Sequence, residues 1–179
     1  MIRMGGFFME RMAQFQKVSS AQFVRSAVEN LKISESEALR IYESVILPIR
    51  ATRGSAGYDF FAPVRIELAP GQSLCVPTGI RARIDEGWVL MLYPRSGLGF
   101  KFGMRLENTV GVIDSDYYDS DNEGHIIAKI TNGSADKTLV VEPGKGFIQG
   151  VFTPFGITFD DSADGVRNGG MGSTTEKNK

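Results

Sequence analysis

A single cysteine, Cys75, stands in a chain of 179 residues, so no internal disulfide, CxxC redox pair or cysteine-based metal site can be built. A single histidine, His125, excludes a histidine-cluster metal centre and leaves any Ser-His-Asp or Cys-His set dependent on that one ring. Neither sign of charge is in excess. Twenty basic residues against 21 acidic ones give a net charge of −1, which supplies no electrostatic footprint for nucleic acid. No apolar run approaches the roughly 18 residues of a membrane span. The opening MIRMGGFFMERMAQF sets Arg3, Glu10 and Arg11 around only three consecutive apolar residues, unlike a signal peptide. These absences predict a soluble, cytoplasmic protein with neither a nucleic-acid nor a membrane partner. A hydrophobic share of 42% with 23% charged residues fits one packed domain with an appendage.

Glycine and proline are also missing between Gly6 and Ile46, and this stretch carries helical signals. Ser20 is placed to cap a helix over Ala21 to Leu31, and Ser34 with Glu37 has the S-x-x-E spacing of a capping box. Ala38, Leu39, Tyr42, Val45 and Ile46 then form one apolar stripe, ended by Pro48. Two such helices cannot bury that stripe alone, so they are expected to dock on the main domain or on a neighbouring subunit. From residue 47 the period becomes two: Ile80, Ala82 and Ile84 alternate with Arg81 and Arg83. Turn signals recur at Pro70-Gly71, Thr78-Gly79, Glu86-Gly87, Asn132-Gly133 and Pro143-Gly144. Between them lie strand-like runs at Gln72–Val76, Trp88–Tyr93, Ile126–Ile130, Thr138–Val141 and Phe147–Thr153, with no helical run between them. The pattern predicts a mainly β jelly roll over residues 47–163, a helical extension over 1–46 and a flexible Gly-rich tail over 164–179.

Several binding signatures fail on inspection. Gly97-Leu98-Gly99 and Gly144-Lys145-Gly146 lack the third glycine of a dinucleotide fingerprint and a following helix pattern, and no P-loop is present. Asp119 to Gly124 resembles the start of a calcium loop, but Ile130 stands where its bidentate glutamate belongs. Five segments remain that strands do not require: Ser55-Ala56-Gly57-Tyr58-Asp59, Pro94-Arg95-Ser96-Gly97-Leu98-Gly99, Asn108 to Tyr117, Gly144 to Gly150, and Arg167 to Thr174. Arg95-Ser96-Gly97 offers a guanidinium, a hydroxyl and an accessible amide at a strand end, an anion site or else a surface ion pair. Asp114 follows Val110-Gly111-Val112-Ile113 and so leaves a buried strand, either into a site or into an ordinary turn. Tyr117 alone reads equally as core packing, Asp116 as a solvent-facing turn residue, and the Gly-rich end as a solvated tail.

In order and spacing, these five segments closely resemble the motifs of the trimeric dUTPase (deoxyuridine triphosphate nucleotidohydrolase) family, across roughly residues 47–175. The resemblance implies a β-clip jelly roll and hydrolysis of dUTP to dUMP and pyrophosphate by water attack at the α-phosphorus, assisted by Mg²⁺. It implies that Asp114 is the general base. Arg95, Ser96, Gly97, Gln149 and Arg167 would meet the nucleotide or its phosphates. Asn108, Gly111 and Val112 belong to the hairpin that binds uracil, and Tyr117 packs beneath the deoxyribose. Asp59 would stand in the water shell of the metal, which keeps its waters and bridges phosphates. Met171, Gly172, Ser173 and Thr174 would close over bound substrate as a lid. The resemblance further implies a homotrimer whose sites collect motifs from more than one subunit.

The chain departs from the family pattern at several points. A longer acidic loop, Asp119 to Glu123, follows the third motif, either a solvated loop or an extra cation site. An arginine usual in the fourth motif is replaced at Gly146 or Phe147. Arg167 stands one residue closer to the Gly-Gly pair than usual, and Met171 replaces a stacking phenylalanine, keeping apolar contact without planar stacking. Two other readings of the same segments are a dCTP deaminase of this fold and a dUTP-sensing regulator. The former lacks support because Asp114-Ser115-Asp116 replaces the D-P-G turn of that family.

Overall fold

The computed structural model describes residues 10–165, 167 and 169. Its elements, in chain order, begin with strand β1 (Ala13–Lys17), helices α1 (Ser20–Leu31) and α2 (Glu35–Ser44), and strands β2 (Ile49–Arg50), β3 (Tyr58–Phe61), β4 (Ile66–Leu68), β5 (Ser73–Pro77), β6 (Ile80–Ile84) and β7 (Trp88–Pro94). Helix α3 (Ser96–Phe102), β8 (Arg105–Leu106) and β9 (Gly111–Ile113) follow, then a 3-10 helix (Ser115–Asp119), β10 (Ile127–Thr131), β11 (Leu139–Val141) and β12 (Gly146–Pro154). The body is mainly β, as its period-two patterning requires. Ile80, Ala82 and Ile84 point inward and are buried, while Arg83 between them is exposed.

A five-stranded antiparallel sheet, ordered β2-β3-β12-β7-β9, carries the long central strand β12. Phe60, Leu90, Phe147 and Ile148 from this sheet are at most 1% exposed, and they share one core with Ile66, Val76, Ile80, Ile130 and Leu139. Gly150 makes that packing possible: a Cβ there would lie 2.7 Å from Leu90 Cδ1 and 3.0 Å from Phe60. Smaller antiparallel sheets, β5-β10-β8, β11-β4 and β1-β6, complete the body.

The N-terminal segment packs into the same core. Ser19, not Ser20, caps α1, its side chain accepting from the Gln22 amide at 3.1 Å, and the helix ends on Lys32 in the left-handed region. Gln22, Phe23, Ser26 and Ala27, the i, i+1, i+4, i+5 face, are buried. Phe23 is fully buried, a gain of about 2–3 kcal/mol by transfer. It meets Val45 over the turn between β5 and β6, where Gly79 has φ +75°. Helix α2 is capped by Ser34, with Glu35 and Glu37 in its positive first turn. It ends at Ser44, four residues before Pro48, and Leu39 and Ile46 of its expected stripe stay half-exposed.

Three further expectations are corrected. Residues 1–46 read as helical, yet β1 lies among them, pairing with β6 from Ala13↔Ile84 to Lys17↔Ile80. The body shows a short helix, α3, where none is expected, and it contains Gly97-Leu98-Gly99. Finally, β9 is not a buried strand. It lies at the edge of the sheet with Val112 54% exposed.

Candidate active site

The edge position of β9 opens a cavity of about 290 Å³ beside it, walled by Leu92, Asn108, Gly111, Val112, Ile113, Tyr117, Lys129 and Arg167 among others. The hairpin leading into β9 is tight: Leu106 bridges Thr109, and the Thr109 amide donates to the Leu106 carbonyl at 3.0 Å. Thr109 sits at φ +68°, an uncommon conformation for a β-branched residue and a local store of strain of the kind found at ligand clamps. Gly111 presses on β7, where a Cβ would lie 3.0 Å from Leu92, so a side chain there would lift the hairpin away. Asn108, Gly111, Val112 and Tyr117, all of one segment of the sequence, line this one cavity.

Asp114 leaves β9 as the cap residue of the 3-10 helix and is 46% exposed. Its Oδ2 accepts from Arg167 Nη2, and Asp116 Oδ1 accepts from Arg167 Nε at 2.9 Å. Arg167 also stands 5.7 Å from the centroid of the Tyr117 ring. The carboxylate is therefore joined to the cavity through Arg167, a cation that lines it. Tyr117 is 8% exposed, its hydroxyl donating to the His125 carbonyl at 2.9 Å and accepting from Asn122 Nδ2 at 2.8 Å. Burial pushes its pKa up, so the ring remains a neutral phenol. Tyr117 is thus buried and a wall of the cavity at once.

The remaining predicted residues gather elsewhere. Asp59 Oδ1 forms an ion pair with Arg95 Nε at 3.2 Å, Gln149 Nε2 donates to the Pro94 carbonyl at 3.3 Å, and a Cβ on Gly57 would lie 2.7 Å from Gln149 Oε1. Ser96 and Gly97 begin α3 directly after Arg95. Arg95 is thus an ion-pair partner and the end of an accessible turn at once. Ladder register carries Asp114 away from this cluster: Ile113 just before it faces Leu90, whereas Arg95 follows Pro94 at the end of β7, and Gly111 of the hairpin faces Leu92 between them. Six residues along an extended strand put Arg95 about 20 Å from Asp114. Met171, Gly172, Ser173 and Thr174 lie outside the described residues.

Sequence reasoning missed four members of the neighbourhood. Lys129 and Glu107 line the cavity from β10 and the hairpin, and the Thr131 hydroxyl bond holds the Glu107 carboxyl below its usual range. Asn122 and His125 carry Tyr117. His125 is fully buried, and desolvation lowers its pKa to about 4. Only the family pattern could have singled out the cavity, since Lys129 and Asn122 have no local signature. The acidic loop is not a cluster of ligands. Among the described residues no group of three His, Cys, Asp or Glu side chains could hold a metal ion, and Glu123 instead accepts from the Ser19 amide and hydroxyl.

Fold and cavity together define a mainly β protein with a cavity beside an edge hairpin, two carboxylates joined to it through Arg167 and a second polar cluster at the end of β7. The dUTPase family model matches residues 43–175, and the chain belongs to that family. It is 41% identical to the deoxyuridine 5'-triphosphate nucleotidohydrolase of Lactococcus lactis, over 80% of this chain and 99% of that protein. A crystal structure of dUTPase from Streptococcus mutans superposes with a TM-score of 0.57 and 44% identity, covering 65% of this chain and 90% of that one. The dUTPase of Staphylococcus bacteriophage 80alpha shares the fold at 18% identity and a TM-score of 0.61, covering 89% of this chain and 100% of that one.

Proposed function

We propose that this chain is a dUTP diphosphatase, releasing dUMP and pyrophosphate. The observation that carries this reading is Asp114, a half-exposed carboxylate tied through Arg167 to a cavity built from a strained hairpin and a buried tyrosine ring. The name of the Lactococcus lactis relative supports the substrate. In this reading the hairpin around Asn108 and Gly111 offers backbone donors and acceptors to the uracil edge. Cytosine would leave some of them unpaired. Val112 contributes apolar contact, and the Tyr117 ring lies under the deoxyribose, where a ribose 2′-hydroxyl meets it.

Asp114 then aligns a water and accepts its proton as the oxygen attacks the α-phosphorus in line, and the bond to the β-phosphate breaks. Arg167 steadies the carboxylates in the free chain and turns to phosphate when substrate enters. The donor set fits Mg²⁺, since a cation carried on the phosphates with its own waters needs only an outlying carboxylate such as Asp59. Bound there, it would screen the triphosphate charge. Arg95, Ser96, Gly97 and Gln149 serve the phosphates, and Met171 to Thr174 close over them.

The separation of about 20 Å along β7 bears on assembly. In this reading Asp114 and Arg95 of one chain serve different nucleotides, a second copy supplying the missing half, as a homotrimer provides by symmetry. Among the described residues no helix is long and apolar enough to cross a membrane, which suits a cytoplasmic enzyme. Pyrophosphate release from dUTP, dTTP, UTP and dCTP, with Asp114→Asn as control, tests the reading. Turnover of dUTP alone, lost in the variant, is expected. Ammonia release from dCTP, or tight dUTP binding with no turnover by the native chain, overturns it.

A further inference from the structure

The segment before residue 47 converges on the part of the chain that carries Tyr117. From β1, Gln16 Oε1 accepts from the Tyr118 hydroxyl at 2.5 Å. From the start of α1, the Ser19 amide and hydroxyl donate to Glu123 at 2.7 and 2.6 Å. From the buried face of α1, Ser26 Oγ meets His125 Nδ1 at 3.1 Å and accepts from Gln22 Nε2 at 3.1 Å. On the other side, Arg81 of β6 donates to the Tyr118 carbonyl at 2.6 Å and stacks 3.5 Å from the Tyr118 ring centroid.

Hydrogen-bond chemistry fixes the imidazole. The Gly79 amide donates to His125 Nε2 at 2.9 Å, so that nitrogen is unprotonated and Nδ1 carries the hydrogen given to Ser26. Both ring nitrogens are therefore committed, one to α1 and one to the turn between β5 and β6. The backbone carbonyl of this anchored residue is the acceptor for Tyr117. Gly124, at φ +66°, closes the loop so tightly that a Cβ would lie 2.7 Å from the Tyr117 carbonyl. Little slack remains between α1 and the tyrosine.

We propose that β1 and α1 form a brace that sets the depth of the Tyr117 ring in the cavity, with Ser26 and His125 as positioning residues for selection of a deoxyribose over a ribose. This rests on the reading of the cavity as the dUTP site. Discrimination by steric clash is sensitive to such a brace, because a ring free to retreat by a fraction of an ångström makes room for one hydroxyl. Contact with dUTP itself changes little. Loosening the brace therefore shows first as acceptance of UTP.

The test compares kcat/KM for dUTP and UTP in the full-length protein and in Ser26→Ala, Gln16→Ala and Tyr117→Leu, with melting temperatures alongside. Ser26→Ala is expected to lower the dUTP-to-UTP ratio about threefold to tenfold, the size of one lost hydrogen bond, mainly through a lower KM for UTP. Gln16→Ala, farther along the chain of contacts, lowers it less. If Tyr117→Leu relaxes selection while Ser26→Ala and Gln16→Ala both keep the native ratio, the brace is refuted even if their melting temperatures fall. If Tyr117→Leu itself keeps the native ratio, the placing of the sugar against that ring is what fails.

Discussion

Asp114 is half-exposed and His125 fully buried, and each sets a prediction. Asp114→Asn preserves shape and removes the proposed proton acceptor. Pyrophosphate release from dUTP is expected to fall by about 10²–10⁴-fold, with affinity for a non-hydrolysable analogue retained by calorimetry. His125 is uncharged in the fold, with a pKa near 4 against an ordinary 6.5. The unfolded chain takes up the proton first as pH falls, so this stabilisation is complete above pH 6.5. It is lost between pH 6.5 and 4 and unchanged below that, by at most about 3 kcal/mol. Urea midpoints measured from pH 7.5 to 4 will show this decline, and His125→Gln, less stable at neutrality, will lack that part of the slope. Desolvation opposes ionisation of Glu123, but the Ser19 bonds, with Arg81 and His125 nearby, hold its carboxyl below the usual range. Its contribution is also lost toward acid. Asp114 and Asn108 were legible because their motif is contiguous. His125 was not, because its partners Ser26 and Gly79 lie 99 and 46 residues away.

Elements were legible where local pattern and tertiary position agree. The alternation of β6 and the turn glycines at 71, 79, 87 and 144, all at positive φ, read directly from the chain. By contrast, β1 has the sequence AQFQK, in which Phe15 is the sole large apolar residue, so its pairing with β6 is a tertiary decision. Helix α3 was hidden by the low helix propensity of Gly97 and Gly99. The junction of helices and strands turns on Gly79, where a Cβ would meet Val45 at 3.0 Å and Phe23 at 3.2 Å in addition to the left-handed φ. Gly79→Ala is expected to destabilise the fold by about 1–3 kcal/mol, read as a lower denaturation midpoint.

At the scale of the whole molecule, motif order along the chain conceals that Asp114 is carried toward the start of β7 while Arg95 follows its last residue. Asp59, Arg95 and Gln149 are interleaved in sequence with Asn108 to Tyr117 yet meet different neighbours. The proposed sharing of sites between copies predicts complementation. Arg95→Ala and Asp114→Asn, each inactive alone, should regain about a quarter of native activity when unfolded together in equal amounts and refolded, the share of sites free of both changes under random mixing. Separately refolded pools mixed without exchange should stay inactive. The same separation along one strand has a genetic corollary. In a cell making both an intact and an Asp114-damaged copy, each faulty polypeptide would lend its sound Arg95 end to a neighbour while spoiling another catalytic centre. Loss would therefore track the proportion of damaged product, and the harm would be diluted by co-expression, not poisonous to every assembly it joins.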